Sequence, residues 1–251
     1  MDLELRDRVY VVTGGARGLG RATAACLVAD GARVVLSGRT GATLAEASAA
    51  LGEAVVTVVA DNADPDTPER LVAAARDRWG RLDGALISVG GPPKGPVTRI
   101  DDDQWTRAFE TVFLGAVRLC RVLGQALPPG GALALVLSSS VRAPLADMAI
   151  SNGLRPGLAM VAKTLADELG PRGVRVNGLL PGRVGTERVA ELDAASGDAD
   201  AARAAALRTI PLGRYGDPEE FGRVAAFLLS PAASFVSGAM VPVDGGMLRS
   251  L

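Results

Sequence analysis

Short runs rich in valine and leucine alternate with alanine-rich stretches along all 251 residues of the chain. The valine and leucine runs are continuously apolar, which is typical of strands covered on both faces. Strand–helix–strand repetition with short connections predicts a parallel, doubly wound sheet. No linker, low-complexity tract or internal repeat divides the sequence. We therefore expect a single α/β domain of the Rossmann type over residues 1–251.

The predicted elements follow one another closely. The strands are expected at residues 9–13, 33–37, 55–59, 85–88, 132–137, 175–180 and 241–243. Helices are expected at residues 19–30, 40–51, 68–79, 103–123, within 151–169, and at 218–229 with Asp217 as N-cap. A proline is tolerated only in the first turn of a helix, so Pro156 predicts that the regular helix of 151–169 begins near Arg155. Residues 184–208 predict one or two amphipathic helices, and residues 184–210 a lid over the substrate.

The composition excludes several classes of function. The chain carries 27 Lys and Arg against 28 Asp and Glu, so no general attraction to nucleic acid or to an anionic membrane is expected. The first residues are too charged for a secretory signal, and apolar runs such as 132–137 are too short to span a bilayer. Cys26 and Cys120 are isolated and lack metal-ligand spacing, which favours a cytoplasmic protein without a metal site.

Candidate acid–base groups are few. The sequence contains no histidine, which removes the commonest general base. Its lysines are Lys94 and Lys163, and its tyrosines are Tyr10 and Tyr215.

A glycine-rich turn joins the first predicted strand to the first predicted helix. It reads Thr13-Gly14-Gly15-Ala16-Arg17-Gly18-Leu19-Gly20. Glycines let the backbone turn tightly and approach a pyrophosphate without a Cβ in the way. The helix that begins near Leu19 offers free N–H groups and its positive end to phosphates. The turn therefore predicts a dinucleotide site, against the alternative of a tight turn that binds nothing.

Two arginines indicate which dinucleotide is bound. An NAD site usually has an acidic residue at the end of the second strand, where this chain has Ser37-Gly38-Arg39. Arg39 and Arg17 are placed to grip a 2′-phosphate, with Ser37 as a further donor, which favours NADP(H) over NAD(H). Asp61 and Asn62, after the third strand, are expected beside the adenine.

At this point the sequence resembles the short-chain dehydrogenase/reductase family over essentially its whole length. Besides the turn, the family pattern is matched by Gly173-Val174-Arg175-Val176-Asn177 with Pro181-Gly182, by residues 211–220, and by Val243-Asp244-Gly245-Gly246. The resemblance implies that the cofactor also contacts residues that follow the fourth and sixth strands. These are Ser88, Gly90, Pro181, Gly182, Val184 and Thr186.

The family's catalytic residues are mostly replaced. The resemblance implies an Asn–Ser–Tyr–Lys set, in which Tyr and Lys lie four residues apart and face one side of a helix. In this sequence the Tyr position falls on Ser151, the Lys position on Arg155 and the Asn position on Val112. The serine is retained at Ser140, with Ser139 as the alternative.

The same replacements resemble an atypical branch of the family that is similar to β-ketoacyl carrier-protein reductases. That branch carries Ser-Asn-x-x-Arg, here residues 151–155, and Gly-Gly-Pro-Pro, here residues 90–93. We expect Ser140 and Ser151 to hydrogen-bond a substrate carbonyl. Arg155 would hold the nicotinamide ribose and stabilise an oxyanion. The proton would arrive through water or from Lys94.

The sequence therefore predicts an NADP(H)-dependent oxidoreductase of the short-chain type, acting on a small carbonyl or alcohol substrate through a non-standard site. Two alternatives remain open at this point. One is an enzyme of the same fold that performs non-redox chemistry, and the other is a catalytically inactive nucleotide-binding subunit. The resemblance also implies a homo-oligomer, a tetramer or a dimer, formed through helix faces in residues 103–123 and 151–169.

Overall fold

The computed structural model describes residues 2–195 and 197–250. In that part of the chain, seven parallel strands form one sheet in the order β3-β2-β1-β4-β5-β6-β7. The strands are β1 (Val9–Val12), β2 (Arg33–Gly38), β3 (Val55–Val59), β4 (Gly84–Ser88), β5 (Ala132–Val136), β6 (Arg175–Pro181) and β7 (Met240–Val243). The predicted Rossmann-type sheet is therefore confirmed.

Helices cover both faces of the sheet. They are α1 (Gly18–Ala29), α2 (Gly41–Leu51), α3 (Thr67–Trp79), α4 (Asp102–Ala108), α5 (Gly115–Ala126), α6 (Ala149–Leu169), α7 (Glu187–Ala194), α8 (Ala199–Leu207) and α9 (Pro218–Leu229). None of the helices in the described ranges is long and apolar enough to cross a membrane.

The strand order reverses between β1 and β4. In doubly wound sheets, ligands bind beyond the carboxyl ends of the strands at such a switch point. The glycine-rich turn after β1 and the loop after β4 both lie at this edge. The topology thus places the predicted cofactor residues side by side.

The sheet separates two apolar cores. On one face, Val11 packs with Leu119 of α5 and Leu158 of α6. On the other face, Val12 packs with Leu27 of α1 and Phe221 of α9. Neighbouring strand residues point to opposite faces, and both faces are buried, which explains why the strand sequences are continuously apolar.

Helix α6 corrects one prediction. It begins at Ala149 and runs unbroken through Pro156, so a helix that begins near Arg155 is wrong. An internal proline removes one backbone hydrogen bond and costs about 3 kcal/mol. Burial of Ile150 and Leu158 on either side of the proline favours the helix, and the packing outweighs the local preference.

The long helix expected at residues 103–123 is divided. A π-helical segment, Phe109–Leu114, lies between α4 and α5. Such segments often occur at functional sites. Val112, at the family's Asn position, lies in this segment and is buried.

Candidate active site

The glycine-rich turn has the shape of a phosphate cradle. Gly14 and Gly18 adopt positive φ angles of 58° and 56°. A Cβ on Gly20 would lie 2.4 Å from the Gly14 carbonyl oxygen, so only glycine lets α1 approach the turn this closely. Helix α1 begins at Gly18, and its N-cap residue Arg17 makes no capping hydrogen bond with its side chain. The free N–H groups of a helix's first turn bind phosphate, so the turn fits a dinucleotide's pyrophosphate.

Hydrogen bonds join this turn to the loop after β4. The Thr13 hydroxyl donates to the Ser88 carbonyl at 2.8 Å and accepts from the Ser88 N–H at 2.8 Å. The Asn62 amide donates to the same carbonyl at 3.3 Å. The ends of β1, β3 and β4 are thereby fixed to one another. Asn62 supports the turn in this way, a role in addition to the predicted contact with the adenine.

The end of β2 presents no carboxylate to a ribose. Gly38 ends the strand, and Arg39 follows it with an exposed side chain. Arg17 is also exposed, and its guanidinium lies 3.8 Å from the Glu191 carboxylate of α7. Ser37 differs from these two arginines, because its hydroxyl is buried and without a hydrogen-bond partner among the described residues. Its predicted role as a donor to the cofactor stays a prediction.

Asp61 lies in a local turn at the end of β3. Its carboxylate accepts from the Ala63 N–H at 3.0 Å, and its carbonyl accepts from the Thr67 hydroxyl at 2.7 Å. One carboxylate oxygen is thus used to shape the loop before α3. The predicted contact between Asp61 and the adenine stays a prediction.

The loop after β6 faces the phosphate turn. Thr186 is the N-cap of α7, and its methyl group would lie 3.6 Å from a Cβ on Gly18. Gly182 packs against Asp244, where a Cβ would come within 2.7 Å of the Asp244 side chain. The buried Val184 forms an isolated β-bridge with Gly216. This loop, which begins as β6 ends at Pro181, therefore closes one side of the cleft.

Two serine hydroxyls meet beside the carboxyl end of β5. The Oγ atoms of Ser140 and Ser151 are 3.0 Å apart, and both residues are buried. Ser140 lies in a short 3₁₀ turn, Ser139–Val141, and Ser151 lies in the first turns of α6. Ser140 is thus the serine whose hydroxyl contacts that of Ser151. The catalytic role of Ser140, with Ser139 as the alternative, stays a prediction.

Arg155 lies one helical turn beyond Ser151, and its side chain is only 5% exposed. Its Nη1 donates to the Val136 carbonyl and its Nη2 to the Gly90 carbonyl at 3.5 Å. Its Nε has no hydrogen-bond partner, and it forms no ion pair with a carboxylate among residues 2–195 and 197–250. Burial lowers the pKa of this guanidinium to about 10, and the group remains a cation at neutral pH.

Helix α7 crosses the cleft and contacts its walls. Arg188 donates to the Pro92 carbonyl at 3.1 Å, and the Leu192 carbonyl accepts from Lys94 Nζ at 3.1 Å. The Asp193 carboxylate is 3.0 Å from Arg183 Nη1 and accepts from the Tyr215 hydroxyl at 2.9 Å. Sequence reasoning missed these contacts, because the partners are distant in the chain and follow no motif.

Comparison with known proteins identifies the family. The chain matches the family model described as enoyl-(acyl carrier protein) reductase over residues 14–248. It is 34% identical to an uncharacterized oxidoreductase of Mycobacterium tuberculosis, covering 96% of this chain and 92% of that protein. It is 29% identical to the 3-oxoacyl-[acyl-carrier-protein] reductase of Vibrio harveyi, covering 98% of this chain and 99% of that protein. The chain belongs to the short-chain dehydrogenase/reductase family.

A solved structure supports the same family. L-sorbose reductase from Gluconobacter frateurii, complexed with NADPH and L-sorbose, superposes with a TM-score of 0.94. Its sequence is 30% identical, and the match covers 100% of both chains. The predicted family, fold and oxidoreductase class are thereby confirmed.

Within this short-chain dehydrogenase/reductase, neither tyrosine replaces the family's acid. Tyr10 lies in β1, and burial raises its pKa. The pKa of Tyr215 is also raised, first by burial and then by its hydrogen bond to Asp193. Both phenols are therefore weaker acids than an ordinary tyrosine.

Proposed function

We propose that this protein is an NADP(H)-dependent oxidoreductase that acts on a carbonyl or alcohol substrate, in the manner of a 3-oxoacyl or carbonyl reductase. Ser140, Ser151 and Arg155 would replace the family's tyrosine and lysine. The observation that carries the proposal is the buried Arg155 guanidinium. Its Nε is unpartnered, and Arg155 lies one helical turn beyond Ser151, whose buried hydroxyl pairs with that of Ser140. A buried charge is costly unless it is paired or used, so a buried cation without a carboxylate indicates a functional site.

The donors available at the site match a substrate oxygen. When Ser140 donates to Ser151, the Ser151 hydroxyl hydrogen remains free for a ligand. In the reverse arrangement, the Ser140 hydroxyl donates to the Ser151 carbonyl at 3.3 Å. A free hydroxyl and the Arg155 Nε–H would together satisfy the two lone pairs of a carbonyl oxygen. Bound NADPH would supply a hydride to the carbonyl carbon.

Arg155 would stabilise the negative charge that develops on that oxygen. Fixed donors aimed at a developing charge are worth more than the same donors in solution. At neutral pH the Arg155 guanidinium keeps its proton, and a serine hydroxyl is a far weaker acid than a phenol. Water would therefore deliver the proton, and we expect slow turnover, since a positioned general acid contributes about 10² to 10⁴ in rate.

The phosphorylated cofactor is favoured by the charges near the turn. Arg39 directly follows Gly38, where an NAD site would carry a carboxylate, and a Cβ on Gly38 would lie 3.6 Å from Ala16, the neighbour of Arg17. Both arginines are exposed. Their guanidinium groups match the planar geometry of a phosphate.

We also propose a cytoplasmic homo-oligomer, a tetramer or a dimer. Phe109, in the π-helical segment, is 44% exposed, and Met160 on α6 is 68% exposed. Large apolar side chains left on these two helical segments support an interface between copies of the chain. Light scattering of the wild type and of a Phe109→Glu/Met160→Glu variant tests this, and we expect the variant to be monomeric.

A second function is favoured by the lack of an acid at the site. Without a tyrosine or lysine beside Ser140, the same cleft would suit a non-redox reaction, such as an isomerisation or elimination, with the dinucleotide held but not consumed. An inactive nucleotide-binding subunit would show the same replacements.

One experiment separates these functions. NADPH binding is measured by fluorescence, followed by turnover of a panel of ketones that includes β-ketoacyl thioesters. We expect NADPH to bind and at least one carbonyl to be reduced. Binding without turnover of any carbonyl would contradict the proposed reductase, and absence of binding would contradict all three functions.

A variant defines the role of the replaced residues. Ser151→Tyr together with Arg155→Lys restores the family's residue types. If the native site has its own mechanism, this double variant loses the activity found in the panel. A rise in activity would instead show that the native site is disabled.

A further inference from the structure

The segment between β5 and α6 carries Ser140, and an amide side chain ties it to the helix that carries Ser151. We propose that Asn152 is a positioning residue that sets the Ser140–Ser151 hydroxyl pair. This inference rests on the proposed function, because the pair matters only if it binds the substrate oxygen.

The Asn152 side chain hydrogen-bonds both the backbone N–H and the backbone carbonyl of Leu145. Its Oδ1 accepts from the Leu145 N–H at 3.0 Å, and its Nδ2 donates to the Leu145 carbonyl at 2.8 Å. The two bonds imitate the pairing of one strand residue with another. They close a short chain segment, residues 145–152, into a loop fixed at both ends. An exposed amide would not need such a partner, but Asn152 is half-buried.

We call these two bonds between Asn152 and Leu145 the clamp. The clamp lies close in the chain to the Ser140–Ser151 hydroxyl pair. Asn152 is the neighbour of Ser151, and Leu145 follows Ser140 by only five residues. A serine hydroxyl extends only one carbon from its backbone, so two serines meet only if their backbones lie close together. The Ser140 hydroxyl is 3.3 Å from the Ser151 carbonyl oxygen as well as 3.0 Å from its Oγ, which shows how closely the loop approaches α6.

Helix α6 lacks a backbone hydrogen bond at Asn152, the residue whose side chain bonds Leu145. In an α-helix the Asn152 carbonyl would accept from the N–H of residue 156, but Pro156 has none. The turn that carries Ser151 and Asn152 therefore lacks one backbone hydrogen bond. The side-chain bonds to Leu145 supply a tertiary restraint at that turn.

A second contact holds the middle of the same loop. The Gly95 N–H donates to the Asp147 carbonyl at 2.8 Å, and the Ala149 N–H donates to the Gly95 carbonyl at 3.2 Å. These bonds join the loop to the segment after β4. They do not reach Leu145 or Ser140, whereas the Asn152 side chain bonds Leu145 to the residue next to Ser151.

A double-mutant cycle tests the role of Asn152. With a carbonyl found active in the panel, we expect Asn152→Ala to lower kcat about tenfold and to leave NADPH binding unchanged. If Asn152 acts through Ser140, the same change in a Ser140→Ala background lowers kcat by less than about twofold. Equal effects in both backgrounds would overturn the inference.

Asn177 provides the matched control. It makes the same pair of bonds, from Nδ2 to the Val236 carbonyl at 2.8 Å and from the Ala239 N–H to Oδ1 at 3.0 Å. We expect Asn177→Ala to lower the melting temperature at least as much as Asn152→Ala does, with no change in kcat beyond about twofold.

Hydrogen exchange tests the clamp without any turnover. In cofactor-free protein, Asn152→Ala should speed exchange of the Leu145 amide and of residues 139–143 about tenfold or more. Asn152→Asp, which keeps the acceptor, should leave the Leu145 amide protected and serves if the alanine variant does not fold. An unchanged exchange rate of the Leu145 amide in Asn152→Ala would show that the Asn152 side chain does not restrain Leu145, and would overturn the inference. A wild type that binds NADPH but reduces no carbonyl would count against the proposed function alone.

Discussion

The cleft has a cofactor half, formed around the glycine-rich turn of residues 13–20, and a predicted catalytic half, formed around Ser140, Ser151 and Arg155. The two halves differ in what they keep of the family pattern. In the cofactor half, the turn keeps the glycine spacing of its family, and Gly20 is required by a backbone atom 2.4 Å from the position of its Cβ. In the predicted catalytic half, Ser151 and Arg155 stand at the positions that the resemblance assigns to the family's Tyr and Lys, and both lie on the unbroken helix α6. The difference teaches that backbone geometry is retained where it has no substitute. Side-chain chemistry carried on a stable helix is replaced more freely.

A second comparison concerns two buried arginines. Arg175 donates to the carbonyls of Leu228 and Ser230 at 2.7 and 2.8 Å, which ties β6 to the end of α9. Arg155 also donates to two backbone carbonyls, those of Val136 and Gly90, but its buried Nε is without a partner among the described residues. Both guanidinium groups have pKa values lowered by burial. Arg175 is a structural cation, and we interpret Arg155 as a cation kept for a ligand.

The largest expected effect concerns the cofactor half. In Gly20→Ala the new Cβ meets the backbone of Gly14, so α1 must move away from the turn. We expect NADPH binding to weaken about 100-fold or more, measured by fluorescence titration, since each factor of ten corresponds to about 1.4 kcal/mol. The control is Gly170→Ala, at a helical φ of −52° with nothing within 4 Å of the Cβ position. Equal losses of NADPH affinity in both variants would contradict the assignment of the glycine-rich turn as the phosphate site.

The next effect sharpens the choice of dinucleotide. Arg39→Ala and Arg17→Ala each remove a guanidinium group expected at the 2′-phosphate. A hydrogen bond to a charged group contributes about 1.5–3 kcal/mol, so NADPH should bind about 10- to 100-fold more weakly. NADH binding should change little. A similar loss for both cofactors would place these arginines at the pyrophosphate instead.

The third effect tests the catalytic half through stability. Replacing the buried cation in Arg155→Met should raise the free energy of unfolding by about 1–2 kcal/mol while abolishing turnover. In Arg175→Met we expect a loss of stability, because three backbone carbonyls lose their donor. Thermal and denaturant unfolding measure both.

The pH dependence of this third effect has a definite sign. Burial lowers the pKa of Arg155 to about 10 in the folded protein, well below its ordinary value. Above pH 10 the folded state releases this proton before the unfolded state does, so the wild type recovers stability there. The advantage of Arg155→Met should therefore be constant near neutral pH and shrink above pH 10. An advantage that grows above pH 10 would contradict an uncompensated buried cation.

The smallest effect concerns the lid. Tyr215→Phe removes the hydroxyl that donates to Asp193 of α7. We expect α7 to exchange its amides a few-fold faster and the KM for substrate to rise a few-fold, since one such bond contributes about 1 kcal/mol. Ser230→Ala, which removes a hydroxyl bonded to Phe227 at 2.8 Å away from the cleft, is the control. An unchanged exchange rate in α7 would show that Asp193 does not depend on Tyr215.

Much of the fold was predictable because each strand lies between helices and is apolar throughout. The capping of α9 was also predictable, since Asp217, Pro218 and Glu220 follow a local rule, and the Asp217 N–H donates to the Glu220 carboxylate at 2.7 Å. The beginning of α6 was not, because the preference of Pro156 is local and the packing that overrides it comes from distant strands.

The sequence by itself determined the α/β fold and the glycine-rich turn, and it predicted through the resemblance that the family's Tyr and Lys are replaced. Each of these depends on residue types at short spacing. Only the tertiary structure decided that Ser140 meets Ser151, that Arg155 is buried without a carboxylate, and that Asn152 clamps Leu145. Contacts of this kind join segments that no periodic pattern relates. They depend on how closely a loop and a helix pack, which is a property of the whole fold.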